Sequence, residues 1–192
     1  MEIFEREEEL KNLKDVLNQT IIAIKNRNLA LLRDLSNRTI HSASIYKDLD
    51  SISIAVIIFT MSKLLGRTDY YEDKDFNDFI RAVIDKINLT IGSVKQKNHK
   101  QFHKDLKGII EIMNKKGGKL NKYIQQVFRE AQISKASRLY EHGISREETA
   151  EVLGIGLWEL AEYVGTTGIA DTDLSFTKPL KERINLAKQL FA

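Results

Sequence analysis

Asp75-Phe76-Asn77-Asp78-Phe79-Ile80-Arg81-Ala82-Val83-Ile84-Asp85-Lys86-Ile87-Asn88-Leu89-Thr90-Ile91-Gly92-Ser93-Val94 is the longest amphipathic stretch of the chain. Phe76, Phe79, Ile80, Val83, Ile84, Ile87, Ile91 and Val94 recur close to the 3.6-residue period that gathers one apolar stripe on a helix. Asp75 stands just before the stripe. Downstream, Phe102, Leu106, Ile109, Ile110 and Met113 repeat the pattern until Gly117-Gly118, a pair that costs about 1 kcal/mol per Gly inside a helix and therefore marks a break. Upstream, residues 52–65 are predominantly apolar, Ser53 and Lys63 notwithstanding, and predict a buried central helix. Asp50 or Ser51 is expected as its N-cap and Gly66 as its stop. Before it, Leu29, Leu32, Leu35, Ile40 and Ala43 predict a helix over 28–44 with Asn28 as N-cap.

Beyond the glycine pair, Leu120, Tyr123, Ile124, Val127, Phe128 and Ala131 form another stripe running towards Leu139, with Gly143 suited to close it. Pro179 fits the first turn of a last helix carrying Leu180, Ile184, Ala187 and Leu190. The fold class is therefore all-α. An N-terminal helical bundle is expected over residues 1–116, a helix-turn-helix-like subdomain with its leading helix over 117–170, and a helix packing on the body over 171–192. No internal repeat or low-complexity linker is evident.

Composition narrows the function classes. The chain has 192 residues, 30% of them charged, one proline and no cysteine. Disulfides, thiolate metal sites and cysteine nucleophiles are excluded. Met1 to Glu9 lacks the pattern of a secretory signal, and 52–65 is short of the roughly 20 apolar residues that span a bilayer. Glu5, Glu7, Glu8 and Glu9 suit the positive end of a first helix. A cytoplasmic protein without membrane association or cofactor is expected.

Residues 144–164 have helix-turn-helix spacing: Ala150 where two helices cross, Gly154 in the turn and Leu160 as the anchor of the second helix. Leu153, Ile155, Tyr163 and Leu139 complete a three-helix core. Over residues 137–170 the chain resembles helix-turn-helix proteins, especially short prokaryotic antitoxin-like regulators. The resemblance implies a DNA-reading second helix. That helix, however, offers Gly156, Leu157, Trp158, Glu159, Ala161 and Glu162 where base readers carry polar or basic groups. Between 134 and 170, Lys135, Arg138 and Arg146 face six acidic residues. Leu157 and Trp158 predict a docking surface, to a second copy or another protein, and Trp158 is expected either there or in the core.

Positive charge concentrates elsewhere. Lys95, Lys97, Lys100, Lys104, Lys107, Lys115, Lys116, Lys119 and Lys122 are opposed over the same span only by Asp105 and Glu111, although the formal net charge of the chain is +3. Such a stripe binds phosphate backbones without reading bases, and Arg138 and Arg146 add to it. The competing reading is the solvated face of an amphipathic helix.

His99 and His103 fall on one helical face, but no Glu follows His99 and lysines flank the pair, so spacing alone predicts no metal site. Around His41, the residues Arg38, Ser42, Ser44, Tyr46, Asp48, Asp50 and Ser51 make a polar junction. Arg38 with His41 resembles the Arg/His ribonuclease motif of helical-bundle toxins, with two intervening residues where that family has four to six. No phosphate loop or nucleophile motif appears. The expected function is a non-catalytic regulatory protein associated with nucleic acid, DNA ahead of RNA. The alternatives are a protein-binding adaptor or antitoxin-like module, and a helical-bundle ribonuclease centred on Arg38 and His41.

Overall fold

The computed structural model describes residues 7–46, 49–115, 117–141, 144–153, 155–158 and 160–161, and every regular element among them is helical. In chain order these are α1 (Glu7–Lys25), α2 (Leu29–Tyr46), α3 (Leu49–Leu64), a 3-10 turn at Thr68–Tyr70, α4 (Lys74–Lys95), α5 (His99–Met113), α6 (Gly118–Glu141) and α7 (Arg146–Leu153). The 142–143 cap, Gly154, Tyr163 and the helix expected around Pro179 lie outside the described residues.

The apolar α3 is the axis of the bundle. Ile52, Ile54, Ala55, Val56, Ile57, Ile58, Met61 and Leu64 are all buried, because α1, α2, α5 and α6 pack around it. Surrounded on all sides, the helix needs no polar face. One hydrophobic core runs from Leu10 of α1 to Leu160. Several polar groups inside it find backbone carbonyls: the Ser36 hydroxyl of α2 donates to the Ala55 carbonyl of α3 at 2.6 Å. Thr20 and Thr60 donate to carbonyls one turn back.

One helix start differs from expectation. Asp50 and Ser51 lie inside the first turn of α3, which begins at Leu49, and the Asp50 carboxylate faces His99 and His103 of α5. On α4 the cap is Asp73, which accepts from the Phe76 amide at 2.9 Å, while Asp75 sits in the first turn where its charge favours the helix dipole. Asp73→Ala is expected to destabilise the fold by about 1 kcal/mol and lower the melting temperature by about 2–4 °C in calorimetry.

The α1–α2 and α4–α5 hairpins turn identically, although the sequence shows no obvious repeat. Arg27 and Lys97 both adopt a left-handed conformation, with φ of 51° and 52°. The following asparagines close each helix by donating to Ala23 and Ser93 carbonyls at 2.8 and 2.9 Å. Each asparagine then caps the next helix, accepting from Leu31 and Gln101 amides. One asparagine per turn thus stops one helix and starts another. Asn28 takes the capping role its position predicts.

After α5 the chain passes Gly117 and Gly118, both at positive φ of 113° and 64°, where a side chain would be strained. Helix α6 packs along α3 through Ile124, Val127, Phe128 and Ala131, and its last turns carry α7. Gln132 of α6 donates to the Leu153 carbonyl at 3.0 Å, fixing the end of α7. The chain then turns at 155–156 and resumes helical backbone at 157–158 and 160–161. Leu139, Ile144, Ala150, Leu153, Ile155 and Leu160 are buried together in the core. Trp158, by contrast, is 88% exposed and Leu157 48%. Of the two places open to the indole, core or surface, it occupies the surface.

Candidate nucleic-acid interface

The basic segment is distributed over three sites. Lys100, Lys104 and Lys107 are exposed on α5 at spacings of four and three, so they line one side of the helix. One of the two acids in their span does not share their surface. Asp105 is 4% exposed and accepts from the Ser93 hydroxyl of α4 and, at 2.7 Å, from the Gln101 amide. Only Glu111 remains exposed among the acids of α5, so the helix surface is more positive than its sequence.

At the end of α4, Lys95 and Lys97 line a groove of about 500 Å³ together with Lys11 and Lys14 of α1 and the acids Glu7 and Glu8. Lys97 bonds Glu7 at 2.7 Å, and its ammonium holds the Glu7 carboxyl below the usual carboxylate range. Lys11 and Lys14 are absent from the sequence-based stripe because they come from the opposite end of the described chain. Only the packing of α1 on α4 places them there.

At the other end, Lys115 and Lys119 line a cleft that also presents Asp73, Asp75 and Asp78. Three carboxylates offset that field, so these lysines are poor phosphate ligands compared with the α5 row. Lys122 and Arg138 are exposed. Lys116 and the Arg146 side chain lie outside the described residues.

Arg38 pairs with Asp34 of its own helix at 3.7 Å, both more than half exposed, and His41 is exposed one turn further on. Beside them, Thr39, Ser42 and Ser51 share a small pocket with Glu9 and Asn12.

Two other constellations are visible only in three dimensions. Lys135, counted by sequence merely as a basic residue, is 2% exposed between α6, α2 and α3. Its ammonium donates to Asn37 Oδ1 at 2.9 Å and lies 4.3 Å from the centre of the Phe59 ring. Burial, helped by the nearby Arg138 charge, lowers its pKa to about 8. The second is Asp50 of α3 with His99 and His103 of α5. His103 Nδ1 lies 3.0 Å and His99 Nε2 3.8 Å from the two oxygens of the Asp50 carboxylate. This trio alone among the described residues has the donor set and convergence to hold a metal ion.

No described helix is long and apolar enough to cross a membrane. No family model, curated protein or solved structure matches the chain.

Proposed function

We propose that this chain is a cytoplasmic, non-catalytic regulatory protein that associates with nucleic acid through phosphate contacts from α5. The observation that carries the reading is the exposed row of Lys100, Lys104 and Lys107 on α5, on whose surface Glu111 is the one exposed acid of the same helix, Asp105 being buried against Ser93. Lys95, Lys11 and Lys14 form a second cationic group in the groove between α1 and the end of α4. Contacts of this type position a protein on a duplex without specifying sequence. The 155–161 segment acts as the turn and second helix of a helix-turn-helix whose outer face docks protein. Its exposed Trp158 and Leu157 favour a second copy of the chain or an adaptor partner over base edges.

Gel shifts on duplex DNA and on RNA at two salt concentrations test the reading. Binding to DNA that weakens sharply at the higher salt supports it, and absence of binding to either at low salt refutes it. Incubating the same samples with RNA tests the nuclease alternative, for which metal-independent cleavage must disappear in His41→Ala. For the docking face, sedimentation velocity is expected to show reversible self-association, which Trp158→Ala weakens by about 30-fold, the loss of a central aromatic contact. A wild-type chain that stays monomeric at all concentrations would rule out the homodimer role.

A further inference from the structure

We infer that Asp50, His99 and His103 form a binding site for a divalent transition-metal ion that ties the start of α3 to the start of α5. The inference is independent of nucleic-acid binding. His99 and His103 occur one turn apart on α5, so both rings leave the same side of the helix, and their centroids are 4.1 Å apart. Asp50 meets them from α3, with 12% of its side chain exposed. One donor atom from each residue lies within 4.8 Å of the others.

Two donors bound to one ion at about 2.0–2.1 Å, at angles between octahedral and tetrahedral, lie about 2.9–3.4 Å apart. His103 Nδ1, 3.0 Å from one carboxylate oxygen, is already within that range; His99 Nε2 is 3.8 Å from the other oxygen, and with the three donors within 4.8 Å of one another the imidazoles have to swing inward to close on one ion. Two imidazoles and one carboxylate suit zinc, cobalt, nickel or ferrous ions. Calcium and magnesium prefer oxygen-only shells, and cuprous ions prefer sulfur. Three protein ligands leave at least one coordination position for water, and His103, half exposed, provides a path for entry.

The lysines that argue against a metal in the bare sequence follow each histidine by one residue. A one-residue step on a helix turns the side chain by about 100°, so Lys100 and Lys104 project beside the site instead of into it. The buried carboxylate supplies the negative charge that two neutral rings lack. What the sequence withholds is the third ligand, which lies on another helix.

The test uses the full chain, free of any histidine tag, stripped with a chelator and titrated with cobalt(II) and then zinc(II). Expected are saturable binding of one ion per chain by calorimetry, a cobalt d–d absorption displaced by zinc, and a melting temperature that rises with zinc concentration. Losing a group that only hydrogen-bonds a metal ligand already costs about 10–100-fold in metal affinity, so removing the ligand itself in His103→Ala should weaken binding by more than about 100-fold. Asp50→Asn should do likewise. His103 is half exposed, so its alanine variant is expected to keep the parent circular dichroism, and it carries the test if Asp50→Asn fails to fold. No saturable binding, or equal stoichiometry and affinity in the His99→Ala/His103→Ala double variant, would overturn the inference.

Discussion

Replacing Lys100, Lys104 and Lys107 together by alanine is expected to weaken binding to a random-sequence DNA duplex by about 10²-fold at 0.15 M salt. The size follows from counterion release: each phosphate contact contributes a factor of about 0.15 raised to the power −0.9, roughly five, relative to 1 M salt, and three such factors multiply to a little over 10². All three side chains are exposed on α5, and alanine is at least as good a helix former as lysine, so the fold should be unaffected. Fluorescence anisotropy with a labelled duplex measures the change. The Lys115→Ala/Lys119→Ala pair is the internal control. Those lysines share their cleft with Asp73, Asp75 and Asp78, so their loss should cost much less. Equal losses for the two sets of variants would mean that phosphate is held by diffuse charge and not by the α5 row.

Lys135→Met is expected to stabilise the protein at neutral pH and to remove a rise in stability between about pH 8 and 10.5. In the unfolded chain the amine titrates at its ordinary 10.5, and burial lowers this to about 8 in the fold. Below pH 8 both states carry the proton, and the fold bears the full cost of a buried cation. Between the two values the unfolded chain keeps a proton that the folded chain has lost, so stability rises with pH, and above 10.5 the cost is gone. The difference corresponds to about 3 kcal/mol. The Phe59 ring facing the ammonium returns about 1 kcal/mol. Methionine keeps the length and apolar volume of the side chain. The partner it abandons, Asn37, is exposed and can turn to water. A net gain of about 2 kcal/mol at pH 7 follows, or about 4–8 °C in melting temperature. Urea unfolding of both chains at pH 7 and pH 10 measures this. A gap that does not shrink at the higher pH would show that the lysine is not destabilising its surroundings.

The helices were legible because their signals are local. Stripe spacing located α4 and α5 to within a few residues, and the predominantly apolar run at 52–65 identified the central helix, since a helix with so little polar surface has to be surrounded. The Asn28 cap was equally readable. The cap of α4 is not legible from the stripe, because Asp73 and Asp75 are both acceptable at a helix start and only the bond to the Phe76 amide distinguishes them. Asp50 was read as a cap for a similar reason, and its carboxylate faces His99 and His103 of α5.

The candidate sites were less legible because they depend on which helices meet. A lysine count along the chain merges the α5 row with Lys115 and Lys119, which packing separates and places against carboxylates. It also includes Asp105 as surface charge, although that carboxylate is turned inward to Ser93 and Gln101. Lys11 and Lys14 join the basic groove from a helix more than 80 residues away. No spacing rule links Asp50 to His99 and His103 across 49 and 53 residues. Trp158 was ambiguous because an apolar aromatic serves a core or an interface equally well. Its exposure decides between them only once neighbouring side chains are in place.

The central claim, that α5 holds a nucleic-acid backbone through three lysines, is tested most directly by the salt dependence of duplex binding. The logarithm of the binding constant, plotted against the logarithm of salt concentration, is expected to fall linearly, with a slope about 2.7 shallower in the Lys100→Ala/Lys104→Ala/Lys107→Ala variant than in the parent. Equal slopes for the two chains would contradict the account.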